Sequence, residues 1–415
     1  MLNVKINTFI LIFIFSANCF VYAQQDSAVI RFIPEKNKND SALSSFRSDK
    51  NDWFRNTEIP GFVFISPGGK FSLGIGGYFN LTASSDFDGI SDNIDFVTYD
   101  IDVPKDTIQT SQYQMYANSS LLYFKIINKT NNGNLVGYIS ANFRGPESTF
   151  SLFQVYVKYY GFEFGQNWST FSDISSWPVT VNYVGLNSMS EVFNPLIKYT
   201  YKFAKGWEFG LSAELPEFTP DQVNTSSLNQ TVPDIPAYLK FSFDNSHIRL
   251  AGIYRNLLYR DTLNDQNETV TGIGGLLSGN IEISKKTQIY FQGIYGKGIG
   301  NYVQDLSIDE LNVTPVFSRS GLLAALPAYS YFGALQYNFN PDFFTTLMYS
   351  QVKVQPENFI SPIYYSYAQQ FTGNLFWNFL PSAQIALEYC FGKRVNQNGQ
   401  YATSDRLEFM MQYNW

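Results

Sequence analysis

The feature that most limits the fold of this chain is the strict alternation of apolar and polar residues along many short segments. It is clearest in the last one, "DRLEFMMQYNW" (405–415), where every second residue from Leu407 to Trp415 is apolar. A period of two places successive side chains on opposite faces of a β-strand. The polar faces carry charged residues, which a closed apolar core excludes, so we predict strands with one face in water. The same pattern recurs at 71–83, 207–214, 239–244 and 384–391.

The composition indicates that the dry face meets lipid. Aromatic residues make up 18% of the chain and charged residues only 15%, against roughly 25% charged residues in soluble domains. Beyond the first 25 positions the sequence has no apolar run as long as a transmembrane helix requires. An aromatic-rich, charge-poor chain of this kind is typical of a membrane β-barrel, in which half of the strand positions face lipid and half face water.

Short and long connections alternate between the predicted strands. Eight long joins lie at 85–110, 145–149, 172–192, 216–235, 258–269, 298–328, 354–364 and 393–402. Seven tight turns lie between them, at 128–133, 159–161, 204–206, 244–246, 284–286, 340–341 and 380–382. Together they predict an all-β, 16-stranded antiparallel transmembrane barrel. Outer-membrane barrels have short periplasmic turns and long extracellular loops, and one of this size encloses water.

The start of the sequence is typical of a secretory signal peptide. Lys5 provides a thin basic region, residues 9–15 form a short apolar core, and residues 21–23 have the small-residue pattern of a cleavage site. We therefore predict a signal peptide at 1–23. Two alternatives are a first transmembrane helix, for which the apolar core is short, and a lipoprotein signal at Cys19.

The predicted mature chain has distinctive ends. Residues 24–58 are polar and aperiodic, so we predict a flexible periplasmic extension there, with a short helix or an oligomerising segment as the alternative. Residues 59–415 form the predicted barrel. Cys390 would be its single cysteine, which predicts that no internal disulfide forms. Trp415 would end the closing strand, and we predict that the barrel-assembly machinery recognises it, because barrels of this class resemble one another in ending on Phe or Trp.

The sequence offers little catalytic chemistry. His247 is the only histidine, and its predicted place in a tight turn indicates a structural or exposed role, since a Ser–His relay needs a shielded site. We predict no enzymatic activity, no cofactor and no metal. The first long join is rich in aspartate, which favours a solvated acidic loop over a calcium site because the EF-hand spacing is not met. These aspartates are Asp86, Asp88, Asp92, Asp95, Asp100, Asp102 and Asp106.

Charged residues on the inward faces are the candidate site. Apolar neighbours face lipid, so the basic residues between them point into the lumen. These are Arg144 and Lys158 on strands three and four, Lys198 and Lys202 on six, Lys240 on eight, and Arg249 and Arg255 on nine. The join 172–192 adds Asp173 and Glu191, and a basic wall opposite an acidic constriction would sort solutes by charge. The alternative is that the bases solvate the lumen or pair with Glu208, Glu214 and Asp244.

One long stretch resembles a known family. "FEFGQNWSTFSDISSWPVTVNYVGLNS" (162–188), with "EIPGFV", "LGIGGYFNLTASSDFDG" and "ANSSLLYF", is similar to the DcaP-like trimeric outer-membrane porins, from about Glu58 to Trp415. The resemblance implies a 16-stranded barrel, a homotrimer, and passage of small hydrophilic solutes, often anions such as dicarboxylates. Positions matching the motif before the third loop are Gly165, Gln166, Trp168, Ser169, Thr170, Phe171 and Asp173.

The sequence also departs from that family. Members carry arginines in a run that here reads Ser151–Tyr156, "SLFQVY", and at positions that are Asn118 and Leu121. We predict an outer-membrane porin that passes small hydrophilic solutes by passive diffusion, with lipid around it and no nucleic-acid partner, because the chain is acidic. The alternative is a ligand-binding or adhesin barrel that uses its long loops, above all the one at 298–328.

Net charge gives a competing indication of selectivity. The formal net charge of −7 taken alone favours cations. Selectivity is set at the narrowest cross-section, however, where charges are weakly screened. Many acidic residues lie in the first loop and in 24–58, and the predicted inward bases follow the constriction loop. We therefore predict a mild anion preference.

Overall fold

The alternating segments form sixteen antiparallel strands that close into a barrel, as seen in a computed structural model. The structure describes residues 60–415 except 91–92, 106–107, 109, 221, 223, 317 and 357–359, together with the backbone of Val29–Phe32. The predicted signal peptide and most of 24–58 therefore lie outside the described residues. The predicted fold class is confirmed, and all seven tight turns join the strands that the sequence analysis paired.

We number the barrel strands β1 to β16. They are β1 Phe71–Asp88, β2 Leu121–Thr130, β3 Gly133–Asn142, β4 Ser151–Tyr159, β5 Phe162–Trp168, β6 Phe193–Ala204, β7 Trp207–Glu214, β8 Ile235–Phe243, β9 Ser246–Asp261, β10 Gln266–Ser284, β11 Thr287–Lys297, β12 Pro327–Asn340, β13 Phe343–Val354, β14 Tyr365–Leu380, β15 Ala383–Asn396 and β16 Tyr401–Asn414. Four short strands extend this sheet: Val29–Phe32, Phe62–Ile65, Gln112–Tyr116 and Thr225–Ser227. Val313–Pro315 and Leu323–Ala325 pair separately.

The barrel closes between its first and last strands. β16 pairs with the upper part of β1, and Trp415 continues the ladder by exchanging backbone hydrogen bonds of 3.0 and 3.2 Å with Gly77. Its indole lies between the rings of Phe62 and Phe79, with centroids 6.1 and 5.9 Å away. Below this point β1 pairs with Phe62–Ile65 instead. The aromatic end of the chain is thus packed in the barrel seam.

The outer face carries the apolar half of the alternation. Large apolar side chains project outward and are exposed along every long strand, whereas the inward neighbours on β1 are buried and polar, as Asn80 and Asp86 show. Aromatic rings form a continuous stacked row at the periplasmic ends of β5 to β8, where an interface belt is expected. Its members are Phe162, Tyr199, Tyr201, Phe203, Trp207, Phe241 and Phe243.

The glycine-rich segment of β10 makes room inside the wall. On β10, a Cβ at Gly272 would lie 2.6 Å from the carbonyl oxygen of Gly298, and one at Gly274 would lie 2.9 Å from Ile299 Cδ1. The loop after β11 therefore packs directly on the strand backbone, as close packing at strand glycines predicts.

Three extracellular loops fold into the barrel. We call them the first loop (89–120), the third loop (169–192) and the sixth loop (298–326). An interior apolar cluster joins Phe171 of the third loop to Tyr302 and Leu306 of the sixth loop and to wall residues of β8 to β14. The sixth loop includes a 3-10 turn, Gly300–Tyr302, followed by a turn of α-helix, Gln304–Ser307.

Among the described residues, no helix has the length and hydropathy of a membrane span.

Candidate functional site

The third loop crosses the lumen and is bonded to the far wall. Glu388 on β15 accepts hydrogen bonds from the backbone N–H groups of Val181 and Asn182, at 3.0 and 2.9 Å, and from the amide of Asn374 at 3.0 Å. Asn374 also donates to the carbonyl of Val179 at 2.8 Å. One buried carboxylate therefore satisfies donors that the loop backbone would otherwise leave unpaired.

Asn187 is the second anchor of the third loop. Its N–H donates to Gln370 Oε1 at 2.9 Å, and its side-chain oxygen accepts from Ser350 at 2.7 Å. Its amide nitrogen donates to Thr98 of the first loop at 2.8 Å. The next carbonyl, that of Ser188, accepts from Gln292 and Ser330 on β11 and β12. The loop is thus fixed to several strands in a row.

Asp305 joins the three loops to one another. Its carboxylate accepts from Thr98 Oγ1 and the Tyr99 N–H, both at 2.8 Å, and from the hydroxyl of Tyr365 at 2.6 Å. Its own N–H donates to the carbonyl of Asn187 at 2.9 Å. Burial raises the pKa of this carboxyl to about 6, although these hydrogen bonds oppose the shift. We call Glu388, Asn187 and Asp305 the loop anchors.

The predicted residue Asp173 lies in a buried cluster. Its Oδ2 is 2.7 Å from His247 Nε2 and accepts from Ser278 at 2.7 Å, and its Oδ1 is 3.7 Å from Arg249 Nη1. Burial alone would raise the pKa of Asp173, but the hydrogen bond from His247 and the charge of Arg249 hold it below its usual value. His247 is buried on β9, so the structural role expected for it is the one observed.

The other predicted acid, Glu191, is close to Arg144 and Asp95. Arg144 lies just past the end of β3, where it pairs with Asp95 and stacks 4.0 Å from the ring centre of Tyr183. Burial and the negative charge of Asp95 raise the pKa of Glu191 well above its usual value, and Arg144 only partly offsets them. Both acids of the predicted constriction therefore lie near bases, Asp173 beside Arg249 and Glu191 near Arg144.

Five of the predicted bases face the lumen from the wall across from Glu388. Strand register places Glu163 between Lys158 and Lys198, with Lys158 Nζ 3.4 Å from its carboxylate. Register also places Glu208 between Lys202 and Lys240, the predicted alternative pairing. Five bases thus face two carboxylates in a patch that we call the basic wall. Its bases are Lys158, Lys198, Lys202, Lys240 and Arg249.

The basic wall is more open than the rest of the inner surface. The Lys158 side chain is 43% exposed, Lys202 is exposed, and Lys198 and Lys240 are half-buried. On the far wall, by contrast, the inward side chains are buried from β10 to β16. They include Ser278, Gln292, Ser330, Ser350, Gln370, Glu388 and Glu408.

Arg255, also predicted to line the pore, has another role. Its guanidinium is fully buried and bonds to Asp234 at 2.9 Å, to Asn312 at 2.8 Å, and to the carbonyls of Glu217 and Gly298. It joins the loop after β7 to the sixth loop. The period-two pattern correctly turned it inward but could not show that loops cover it.

Aspartates of the predicted first join (85–110) pair with neighbouring bases. Asp86 forms a two-pronged pair with Arg406, at 2.7 and 3.0 Å, and Asp88 pairs with Lys105. Asp95 pairs with Arg144. Asp92 and Asp106 lie outside the described residues. Three of the five described aspartates therefore pair with bases, and Asp100 accepts from the amide of Asn93 instead. The preference for a solvated acidic loop over a calcium site stays a prediction.

Comparison with known proteins decides the family. The model of the porin subfamily matches residues 61–403, which is most of the chain. The chain belongs to the porin subfamily. As expected from the sequence motif, the fold is shared with the outer-membrane channel DcaP of Acinetobacter baumannii, at 17% identity and a TM-score of 0.75, covering 85% of this chain and 99% of that one. The porin lies in the bacterial outer membrane.

Two further solved structures share the porin fold. An anion-selective porin from Comamonas acidovorans has 10% identity and a TM-score of 0.53, covering 83% of this chain and 100% of that one. The trimer form of OmpT from Vibrio cholerae has 11% identity and a TM-score of 0.50, covering 83% and 99%. No curated protein sequence matches the porin.

Sequence reasoning missed the loop anchors of this porin. Glu388 lies on the polar face of β15, so its inward direction could be predicted from the alternation of apolar and polar residues. Its partners lie 206 and 207 residues away in the chain, and the sequence contains no signal for contacts at that separation. Asn187 and Asp305 sit in loops without periodicity and gave no signal at all.

Proposed function

We propose that this porin carries small hydrophilic solutes across the outer membrane by passive diffusion along the basic wall, with a mild preference for anions such as dicarboxylates. The observation that carries the proposal is the asymmetry of the lumen. Loops bury the inward side chains of the wall from β10 to β16. The third loop also bonds to Arg249, which is buried and donates to the carbonyls of Thr170 and Ser172, while the lysines of β4 to β8 keep contact with water. A solute path is expected where water already reaches the wall.

Charge gives the expected sign of selectivity. The basic wall has five bases against Glu163 and Glu208, and Glu214 on β7 adds a third carboxylate near Lys198. Two positive charges are therefore left over when all are ionised. One of these, that of Arg249, is shared with Asp173. The remaining excess faces a third loop whose Asp173 is already paired with His247 and Arg249. An anion near this wall is attracted, and low local dielectric strengthens the attraction.

A trimer is part of the proposal. OmpT from Vibrio cholerae has a trimer form and shares the fold, and the motif around residues 162–188 resembles a family of trimers. Each protomer encloses its own lumen, so three independent conduction paths are expected in one particle.

Bilayer recording tests the channel, its sign and its assembly together. Purified protein in a planar membrane should show conductance that closes in three equal steps. In a potassium chloride gradient, the reversal potential should indicate that chloride passes more readily than potassium. A non-conducting barrel would contradict the channel, and a potassium preference would show that the acidic residues of the lumen dominate.

Trp415 supports a second proposal, about biogenesis. Its indole is held in the seam by Phe62 and Phe79, and we expect the assembly machinery to recognise this closing strand. Trp415→Ala should lower the folded fraction, measured as the heat-modifiable band, more than it lowers total protein. Equal folded-to-total ratios for the variant and the parent would reject this role, and Tyr413→Ala on the same strand is the matched control.

A further inference from the structure

A cluster of potential metal ligands lies on the inner face of the last two strands. Glu388 and Cys390 are two positions apart on β15, so both point inward, and Glu408 on β16 is the register partner of Glu388. One ligand atom from each residue lies within 4.8 Å of the others. All three side chains are fully buried. Strand geometry therefore brings a thiol and two carboxylates to one point.

The spacing of one ligand pair is close to that expected around a tetrahedral ion. Cys390 Sγ is 3.7 Å from Glu388 Oε1. Two ligands on one zinc ion, at about 2.3 Å for sulfur and about 2.0 Å for oxygen, lie about 3.5 Å apart at the tetrahedral angle. Thr372 Oγ1 is also 3.7 Å from the sulfur. Only small shifts separate the observed arrangement from a coordinating one.

A buried, unpartnered oxygen points independently to a ligand. Glu408 Oε1 is 3.4 Å from Arg406 Nη1, but Glu408 Oε2 has no hydrogen-bond partner among the described residues. A buried polar atom of this kind requires an explanation, and an unseen ion is one of the accepted ones. Glu388 Oε1 accepts one hydrogen bond from the backbone, that of Asn182, which leaves a lone pair for a cation.

The local charge also calls for a cation. Arg406 is the nearest base, and it is held by the two-pronged pair with Asp86. Arg406 also pairs with Glu408 at 3.4 Å. If the carboxyls of Asp86, Glu388 and Glu408 are all ionised, one guanidinium faces three negative charges, and two of these stay unmatched. Buried charges require partners, and a divalent cation would supply both positive charges.

We propose that Glu388, Cys390 and Glu408 bind one divalent cation of the zinc class, with water in a fourth position. A thiolate is a soft ligand that favours such ions over calcium or magnesium, which take oxygen ligands in larger number. Binding displaces the thiol proton to solvent. Because Glu388 also holds Val181 and Asn182, the ion ties the third loop to the wall, and zinc stabilises the folded barrel by mass action.

Cobalt binding to the full chain tests the site. The protein is refolded into detergent after metal removal, with Co²⁺ or Zn²⁺ present so that the buried site can load. A thiolate-to-cobalt charge-transfer band is expected, and Cys390→Ser should abolish it and weaken Co²⁺ binding by at least about tenfold. Cys19→Ser, in the predicted signal peptide, is the matched control and should leave the band unchanged. A band that persists in Cys390→Ser overturns the proposal.

X-ray absorption on the zinc-loaded parent protein needs no variant and so does not depend on Cys390→Ser folding. A sulfur neighbour at about 2.3 Å is expected. A shell of oxygen and nitrogen alone, or the absence of bound zinc after refolding, overturns the proposal. Glu408→Gln keeps the thiol and should weaken binding, whereas Glu282→Gln, an exposed carboxylate on β10, should not.

Discussion

The two walls of the lumen differ in what their charged residues do. On the wall from β10 to β16, the inward charges are buried and bonded to loops, as Glu388 is to Val181 and Asn182. On β4 to β8, the basic wall keeps its lysines in contact with water. The same alternating strand pattern thus places inward charges in two different environments. Inward charges are bonded to loops on the first wall and stay accessible to water on the second.

The difference shows that inward direction alone does not make a residue pore-lining. Arg255 and Lys240 both point inward by strand parity, yet Arg255 is fully buried by loops and Lys240 is only half-buried. Arg255 is covered by the loop after β7 and by the sixth loop, and this coverage separates the two residues. Variants of the two walls should therefore separate stability from selectivity.

The largest effect on stability is expected on the wall from β10 to β16, where loops are bonded to inward side chains. Glu388→Ala removes the acceptor of three buried donors, and each unsatisfied group costs about 1–3 kcal/mol. The temperature of the heat-modification transition should fall, and single-channel current should become noisy as the third loop is released. Glu282→Ala removes an exposed carboxylate and should change neither. A stable, quiet Glu388→Ala channel would mean that the loop is held by its other contacts.

At the basic wall, the expected effect is on selectivity and not on folding. Lys198→Glu combined with Lys202→Glu changes the net charge of the wall by four units, because two positive charges become negative. The reversal potential in a salt gradient should move toward potassium, while the heat-modification temperature stays near that of the parent. Lys285→Glu with Lys286→Glu, in the turn after β10, is the charge-matched control. If the control shifts the potential equally, the effect is one of total charge.

The smallest effect is a pH dependence of the loop junction. The pKa of Asp305 is raised to about 6, so its contribution to stability is full below the unfolded pKa near 3.8 and is lost as pH rises through 6. Stability should fall by about 1 kcal/mol between pH 5 and pH 7. Thermal unfolding at the two pH values measures it, and Asp305→Asn should remove the difference. Asp265→Asn, in an exposed turn, should retain it.

Local sequence information predicted the wall of the barrel but not its interior. Turn residues and period-two alternation are local properties, and they correctly paired all sixteen strands and turned Lys198 and Lys240 inward. The interior depends on contacts such as Asp173 with His247, which are 74 residues apart. The alternation of apolar and polar residues could not show that this pair is buried, and the acidic face of the constriction stays a prediction.

The short strand Phe62–Ile65 has a consequence for aggregation. β1 continues below the end of β16, so the backbone groups of Ser72 to Ile75 would otherwise face no neighbour on that side. An unpaired strand edge is a template for the strands of other chains. The segment Phe62–Ile65 covers this edge. A protein that begins at Phe71 lacks the segment and is therefore expected to aggregate more than the full chain.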